Sequence, residues 1–310
     1  MEGYMMLNAL RENINSLFVG KEKEVEDVLT CLLAGGHILI EDVPGVGKTT
    51  LASTLAKSID SSFGRIQFTP DTLPGDVSGA SIYNMKTGDF EYRAGVVMNQ
   101  IILADEINRT SPKTQASLLE AMAENQVTVD GVVHALPQPF MVIATQNPIE
   151  FLGTYPLPEA QLDRFMMRIQ IGYPDREQEL LMATLHLKGE TPDTADAVCS
   201  VEDLLKIKDE VATVTVKEAV LGYMEDIIIL TRREERFDLG ASPRALLALV
   251  RASQARAFLN GRDYVKPDDV KAVAMQVLEH RITLTPESRI HRDNVADILK
   301  SLILKVKIPV

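Results

Sequence analysis

Eight consecutive residues, Val43-Pro44-Gly45-Val46-Gly47-Lys48-Thr49-Thr50, hold the side chains best suited to chemistry in this 310-residue chain. Glycines at 45 and 47 let backbone N–H groups converge on an anion with no Cβ in the way. Lys48 would reach β- and γ-phosphates, and the Thr49 hydroxyl would ligate Mg²⁺. An apolar run, His37-Ile38-Leu39-Ile40, precedes this stretch, and a helical pattern from Leu51 to Ser58 follows it. Strand, Gly-rich turn and helix start together form a phosphate-binding loop, because the helix dipole also favours an anion there. The pattern G-x-x-x-x-G-K-[ST] asks for Gly at position 42, where this chain has Asp42. The bland alternative is a Gly-rich left-handed turn followed by a chance lysine.

Further residues extend the pattern. Asp105 and Glu106 close the apolar run Ile101–Ala104. After a phosphate loop, Asp105 would hold Mg²⁺ directly or through water, and Glu106 would orient and polarise the water that attacks a γ-phosphate. Gln146-Asn147-Pro148 follows the run Phe140–Thr145. Asn147 could position that water, and Asn-Pro is equally a turn dipeptide. In Leu162-Asp163-Arg164-Phe165, Arg164 either pairs with Asp163 or reaches a neighbouring subunit's nucleotide. Ser242 caps a helix with Arg244 in its first turn, where the dipole disfavours a cation. That mismatch points to an anion opposite Arg244, with ATP phosphate the natural candidate.

The elements that must position these residues follow from periodicity. Residues 7–34 read as helical and stop at Gly35-Gly36. Five short apolar runs, His37–Glu41, Arg65–Phe68, Gln100–Ala104, Phe140–Thr145 and Met167–Ile171, have strand character. Helical stretches separate them, which predicts an α/β core with a five-stranded parallel sheet and crossover helices. One such helix starts at Ser111-Pro112. Residues 73–96 form an insert with a turn at Lys86-Thr87-Gly88, and residues 126–138 read as a hairpin around Asp130-Gly131. After Tyr173-Pro174 the periodicity turns helical: Arg176–Leu187, Val201–Val211, Lys217–Arg232, Pro243–Leu259 and Pro267–Leu278. The predicted division is an α/β core at 1–174 and an all-α lid at 175–310.

Composition narrows the function class. Net charge is −12, and residues 1–172 carry 12 basic and 21 acidic side chains. A nucleic-acid binder normally shows a basic excess or patch. Cys31 and Cys199 are the only cysteines, and the five histidines lack zinc-ligand spacing. No window is long and apolar enough for a membrane helix, and the N-terminus lacks a signal-peptide core, so the expectation is a cytoplasmic protein.

Together these residues resemble the MoxR group of AAA+ ATPases, over nearly the whole chain. The resemblance rests on Val43–Thr50, Phe68-Thr69-Pro70-Asp71-Thr72-Leu73-Pro74-Gly75-Asp76 and Tyr83-Asn84-Met85-Lys86-Thr87-Gly88. It rests equally on Asp105-Glu106-Ile107-Asn108-Arg109, Ala144-Thr145-Gln146-Asn147-Pro148 and Leu162-Asp163-Arg164-Phe165. It implies that Lys48 and Thr49 belong to Walker A, Asp105 and Glu106 to Walker B, and Asn147 to sensor 1. Arg164 becomes the arginine finger and Arg244 sensor 2. Val19-Gly20 becomes the segment touching adenine, residues 73–96 the helix-2 insert, and residues 126–138 the pre-sensor-1 hairpin.

The implied activity is ATP hydrolysis with Mg²⁺, in a hexameric ring with chaperone-like action on a protein client. A companion protein with a von Willebrand factor A domain is also implied. In the ATP state Arg244 is expected to approach the γ-phosphate and draw the lid onto the core. Two rivals stand beside this reading. One is a DNA-directed motor, and the other is a nucleotide-gated scaffold with little turnover.

Overall fold

The structure, a computed structural model, describes residues 2–148, 153–189 and 191–309. The chain starts with α1 (Glu2–Leu17) and α2 (Glu22–Leu33). The single helix expected over 7–34 is therefore two. Gly20 breaks it at φ +73, and a Cβ there would lie 2.2 Å from the Gln178 side chain. A side chain is excluded at that point by both conformation and space.

The core then runs β1 (Ile38–Glu41), α3 (Lys48–Ser58), β2 (Phe63–Gln67) and α4 (Pro74–Ser78). A hairpin follows, β3 (Gly79–Asn84) and β4 (Asp89–Ala94), then β5 (Ile101–Asp105) and α5 (Pro112–Glu124). A second hairpin, β6 (Gln126–Val129) and β7 (Val132–Ala135), precedes β8 (Met141–Gln146), α6 (Glu159–Leu162) and β9 (Met167–Ile169). The main sheet is parallel throughout, in the order β2-β5-β8-β1-β9.

Both sheet faces are covered, so its strands read as continuous apolar runs. Alternate residues serve opposite faces. Ile38, Ile40, Ile101, Leu103 and Ile143 pack with α1, α2, α3 and the helices of the second part. Leu39, Ile102, Ala104, Val142 and Ala144 pack under α5. Ser111 caps α5 as the sequence predicts, its Oγ accepting from Thr114 N at 3.4 Å. The β6–β7 turn is the expected Asp130-Gly131, with φ +49 and +80. Both positive angles fit a tight hairpin turn. The two hairpins touch through Tyr92 on β4 and His134 on β7, stacked at 3.8 Å.

The second part comprises α7 (Arg176–Leu187), α8 (Val201–Ala212), α9 (Glu218–Arg233) and β10 (Phe237–Leu239). It continues with α10 (Pro243–Leu259), α11 (Pro267–Leu278), β11 (Thr283–Leu284), α12 (Pro286–Ile290) and α13 (Val295–Lys305). It is helical as predicted, with one addition: β10 and β11 pair as a short antiparallel ribbon. Among the described residues, no helix is long and apolar enough to cross a membrane.

One buried carboxylate ties this part to α2. Asp27 is 6% exposed and accepts a hydrogen bond from Gln276 Nε2 on α11 at 3.1 Å. Burial raises its pKa from 3.8 to about 6, against the pull of Lys23, the Gln276 bond and Arg256. The native state thus holds a proton between about pH 4 and pH 6 that the unfolded chain releases, so this group costs stability as pH rises through that range. The full cost, reached above pH 6, is at most about 3 kcal/mol. Asp27→Asn is therefore expected to stabilise the fold most at pH 8, with the gain shrinking below pH 6. Thermal unfolding of both proteins across that range checks it, and a pH-independent gain would refute it. Buried His37, lowered to about 4 by desolvation, destabilises the fold as pH falls below about 6.5. That loss is common to both proteins and cancels in the comparison.

Candidate active site

The C-terminal ends of the parallel strands gather the predicted residues at one sheet edge. β1 leads into Asp42, β5 ends at Asp105, and β8 leads into Asn147. Gly45 and Gly47 adopt φ +88 and +89, the left-handed region that glycine tolerates. At Gly47 a Cβ would also lie 2.9 Å from the Phe18 ring. Helix α3 starts at Lys48, and Gly47 offers no capping side chain, so the first-turn N–H groups stay available to an anion. Lys48 Nζ donates to the Asp42 carbonyl at 2.8 Å. Half-burial lowers the Lys48 pKa, opposed by the charges of Asp105, Asp42 and Glu106.

The two acids are pre-positioned. Asp105 Oδ1 accepts from Thr145 Oγ1 at 2.7 Å, and Oδ2 pairs with Arg65 at 3.0 Å. Glu106 sits in the left-handed region at φ 57, ψ 51, uncommon for a non-glycine residue. Its N–H donates to Thr145 Oγ1 at 2.9 Å. Its Oε2 accepts from Gln67 Nε2 at 2.9 Å and from Arg109 NH1 at 2.8 Å. Thr145 thus joins both acids, and Gln67 and Arg109 hold the Glu106 carboxylate. Sequence reading missed these three partners as a set. Their signal was available, since Gln67 ends a strand level with Asp105 and Thr145 lies in the neighbouring strand. Asn147 is 6% exposed and directly follows β8, the strand that lies between β5 and β1.

Val19 lines a slot with Phe18, Gly45, Thr50, Pro174 and Met182. At about 40 Å³ it has room for a few waters and not for a purine. A base could lodge there only if Phe18 or Met182 on α7 moved aside. The oxygen donors Thr49 and Asp105 suit a hard cation such as Mg²⁺, which keeps several waters and uses one or two protein ligands beside phosphate.

The two arginines lie elsewhere. Arg164 NH1 donates to Leu119 O at 2.5 Å, so it does not pair with Asp163. Asp163 instead serves the helical part, accepting from Arg281 Nε at 2.7 Å and Ser242 Oγ at 3.2 Å, with Arg244 NH1 at 3.7 Å. Arg164 and Arg244 share a cavity of about 310 Å³ with Gly36, His37, Arg251 and Arg281. Gly36 and His37 precede β1, whereas the phosphate loop follows it. Arg244 therefore lies at the opposite sheet edge from the Lys48 of its own chain. In this structure Arg244 faces away from the phosphate loop of its own chain, so the approach to a γ-phosphate expected in the ATP state would require either a large lid movement or the nucleotide of another copy. Helix spacing could place Arg244 in a first turn but could not say which sheet edge that turn faces.

Residues 37–167 match the family described as ATPase family associated with various cellular activities (AAA), and residues 229–302 match the AAA lid domain. The uncharacterized Bacillus subtilis protein YeaC is 49% identical over 98% of this chain and 95% of its own length. Chaperone MoxR1 of Mycobacterium tuberculosis is 39% identical over 96% of this chain and 80% of its own. The chain belongs to the MoxR group of AAA+ ATPases. The crystal structure of a putative ATPase from Cytophaga hutchinsonii superposes with a TM-score of 0.93 at 40% identity, covering 100% of this chain and 96% of that one. In this MoxR-group chain, the AAA match runs from His37 to Met167, from just before β1 to the first residue of β9, and takes in Lys48, Asp105, Glu106, Asn147 and Arg164, while Arg244 falls within the lid match.

Proposed function

We propose that this chain is an Mg²⁺-dependent ATP phosphohydrolase that acts in a hexameric ring of identical chains and remodels protein clients. The observation that carries the reading is the convergence of Lys48, Asp105, Glu106 and Asn147 at one sheet edge. The glycine turn and the N–H groups of α3 bind the phosphates, with Lys48 leaving Asp42 O to meet them. Mg²⁺, held by Thr49 and Asp105, would supply charge neutralisation between the β- and γ-phosphates. Glu106 orients water, takes its proton as the water oxygen bonds to the γ-phosphorus, and passes that proton to solvent. The bond from γ-phosphorus to the bridging oxygen breaks, and ADP leaves. To do this, Glu106 trades its bonds from Gln67 and Arg109 for the water. Asn147 steadies that water.

Arg164 and Arg244 face away from their own phosphate loop, which supports their serving the nucleotide of an adjacent copy. The name of the Mycobacterium relative supports a chaperone-like role. Exposed Met85 and Phe90 on the β3–β4 hairpin, at 91% and 72%, offer apolar surface for a client. A companion with a von Willebrand factor A domain and a cytoplasmic setting complete the reading. The −12 charge counts against a DNA-directed motor. The deciding experiment is phosphate release from Mg-ATP by the purified chain, with Lys48→Ala as control. Release by the wild type and loss of tight ATP binding in Lys48→Ala are expected. Equal release by both would overturn the assignment.

A further inference from the structure

Asp42 stands where the phosphate-loop pattern asks for glycine, and its surroundings give it a task. It is 8% exposed. Its Oδ1 accepts from Val43 N at 2.9 Å, and its Oδ2 accepts from Ile171 N at 2.7 Å and Gly172 N at 2.6 Å. Its carbonyl accepts from Lys48 Nζ at 2.8 Å, and its N–H donates to Gln146 O at 3.1 Å. One residue thus touches the catalytic lysine, the strand before Asn147, and the segment that leaves β9 for α7.

A second grip holds the same segment. Lys21 Nζ donates to Ile171 O at 2.6 Å and to Tyr173 O at 3.2 Å. Lys21, like Val19, lines the slot beside the loop. Gln178 on α7 in turn donates to Gly20 O at 3.2 Å. Polar ties hold α7 to the core, because none of its described side chains is buried. Leu180 and Leu187 are 61% and 87% exposed. An element held by a few hydrogen bonds and little apolar packing opens at low free energy. The left-handed Gly172, at φ +68, supplies a pivot in the linker.

We propose that Asp42 is a positioning residue that transmits occupancy of the phosphate loop to α7 through Ile171 and Gly172. The proposal rests on the ATP-binding reading given above. When Lys48 turns to phosphate, the Asp42 carbonyl loses its ammonium partner and the start of the loop shifts. The Asp42 carboxylate keeps hold of the linker, so the shift moves the pivot and α7 with it. The slot beside Val19, too small for a purine while Met182 fills its wall, opens by the same motion.

The test is amide hydrogen exchange on the full chain, with and without Mg²⁺ and a non-hydrolysable ATP analogue. Wild type, Asp42→Ala, Asp42→Asn and Lys21→Met are compared, with thermal unfolding run on each. In wild type the analogue should slow exchange over residues 43–50 and change it over residues 171–187. In Asp42→Ala the response at 43–50 should persist and the response at 171–187 should be lost. Asp42→Asn has one acceptor oxygen in place of two and should keep part of the distal response; it carries the test if the alanine variant fails to fold. Lys21→Met removes the second grip and should likewise weaken that response. A full response at 171–187 in both Asp42 variants would overturn the proposal, leaving Asp42 a clip for the fold. So would a wild type whose 171–187 segment ignores the analogue while 43–50 responds. A wild type silent at 43–50 would overturn the ATP-binding reading first and this proposal with it.

Discussion

Glu106→Gln is expected to cut ATP turnover at least ~100-fold while leaving ATP binding close to wild type, the usual scale for losing a general base. The substitution keeps the shape of the side chain and one oxygen able to accept from Gln67 and Arg109, which now share Glu106 Oε2. The left-handed backbone at residue 106 is held by Thr145 Oγ1 through the main-chain N–H, so it survives. What disappears is the oxygen that takes the water's proton. Steady-state phosphate release, paired with binding of a fluorescent ATP analogue, separates the two effects. Near wild-type turnover would remove Glu106 from the mechanism and return it to a structural pair with Arg109. The long-lived ATP complex of this variant would also trap clients for identification.

Arg164→Ala is expected to bind ATP and to hydrolyse it on the order of 10³-fold more slowly, the lower end for losing an arginine that stabilises phosphoryl charge. Deleting its guanidinium leaves Leu119 O without that donor, a loss of about 1 kcal/mol that the fold should survive. The informative experiment is mixing. Chains with Arg164→Ala keep a sound Glu106, and chains with Glu106→Gln keep a sound Arg164. Where the two meet in the right order, a complete site forms, and the mixture should hydrolyse ATP faster than the sum of its parts. A mixture that merely adds, or wild-type hydrolysis by a species shown to be monomeric at any concentration, would exclude catalysis across copies.

Much of this was legible in the chain itself. All five strands of the sheet, the Ser111 cap, the β6–β7 hairpin, the turn inside the 73–96 insert and five helices of the second part follow from period and punctuation. The loop and the two acids follow from residue types at strand ends. What escaped did so for identifiable reasons. The break at Gly20 hides because apolar spacing runs on through α2, from Val25 to Leu32. Helix α13 was readable from Ile298, Leu299, Leu302 and Ile303, yet its cap, Asn294, is easily lost in the polar run His291-Arg292-Asp293 before it. Asp42 looked like a flaw because its partners, Ile171 and Gly172, lie 129 and 130 positions away. No local pattern carries a contact that distant. Arg244 was found as a residue, but which way it faces was not legible, since the sheet edge a helix start faces is decided by tertiary packing.

The siting of Arg164 and Arg244 across the sheet from Lys48 has a genetic consequence. In the proposed ring, each chain would lend at one edge what it needs at the other. A chain defective only at Glu106 silences its own site. A chain defective at both Glu106 and Arg164 silences its own site and also the one it should have served. Co-produced with normal chains, the double variant would be a dominant poison with a steeper dose response than either single variant.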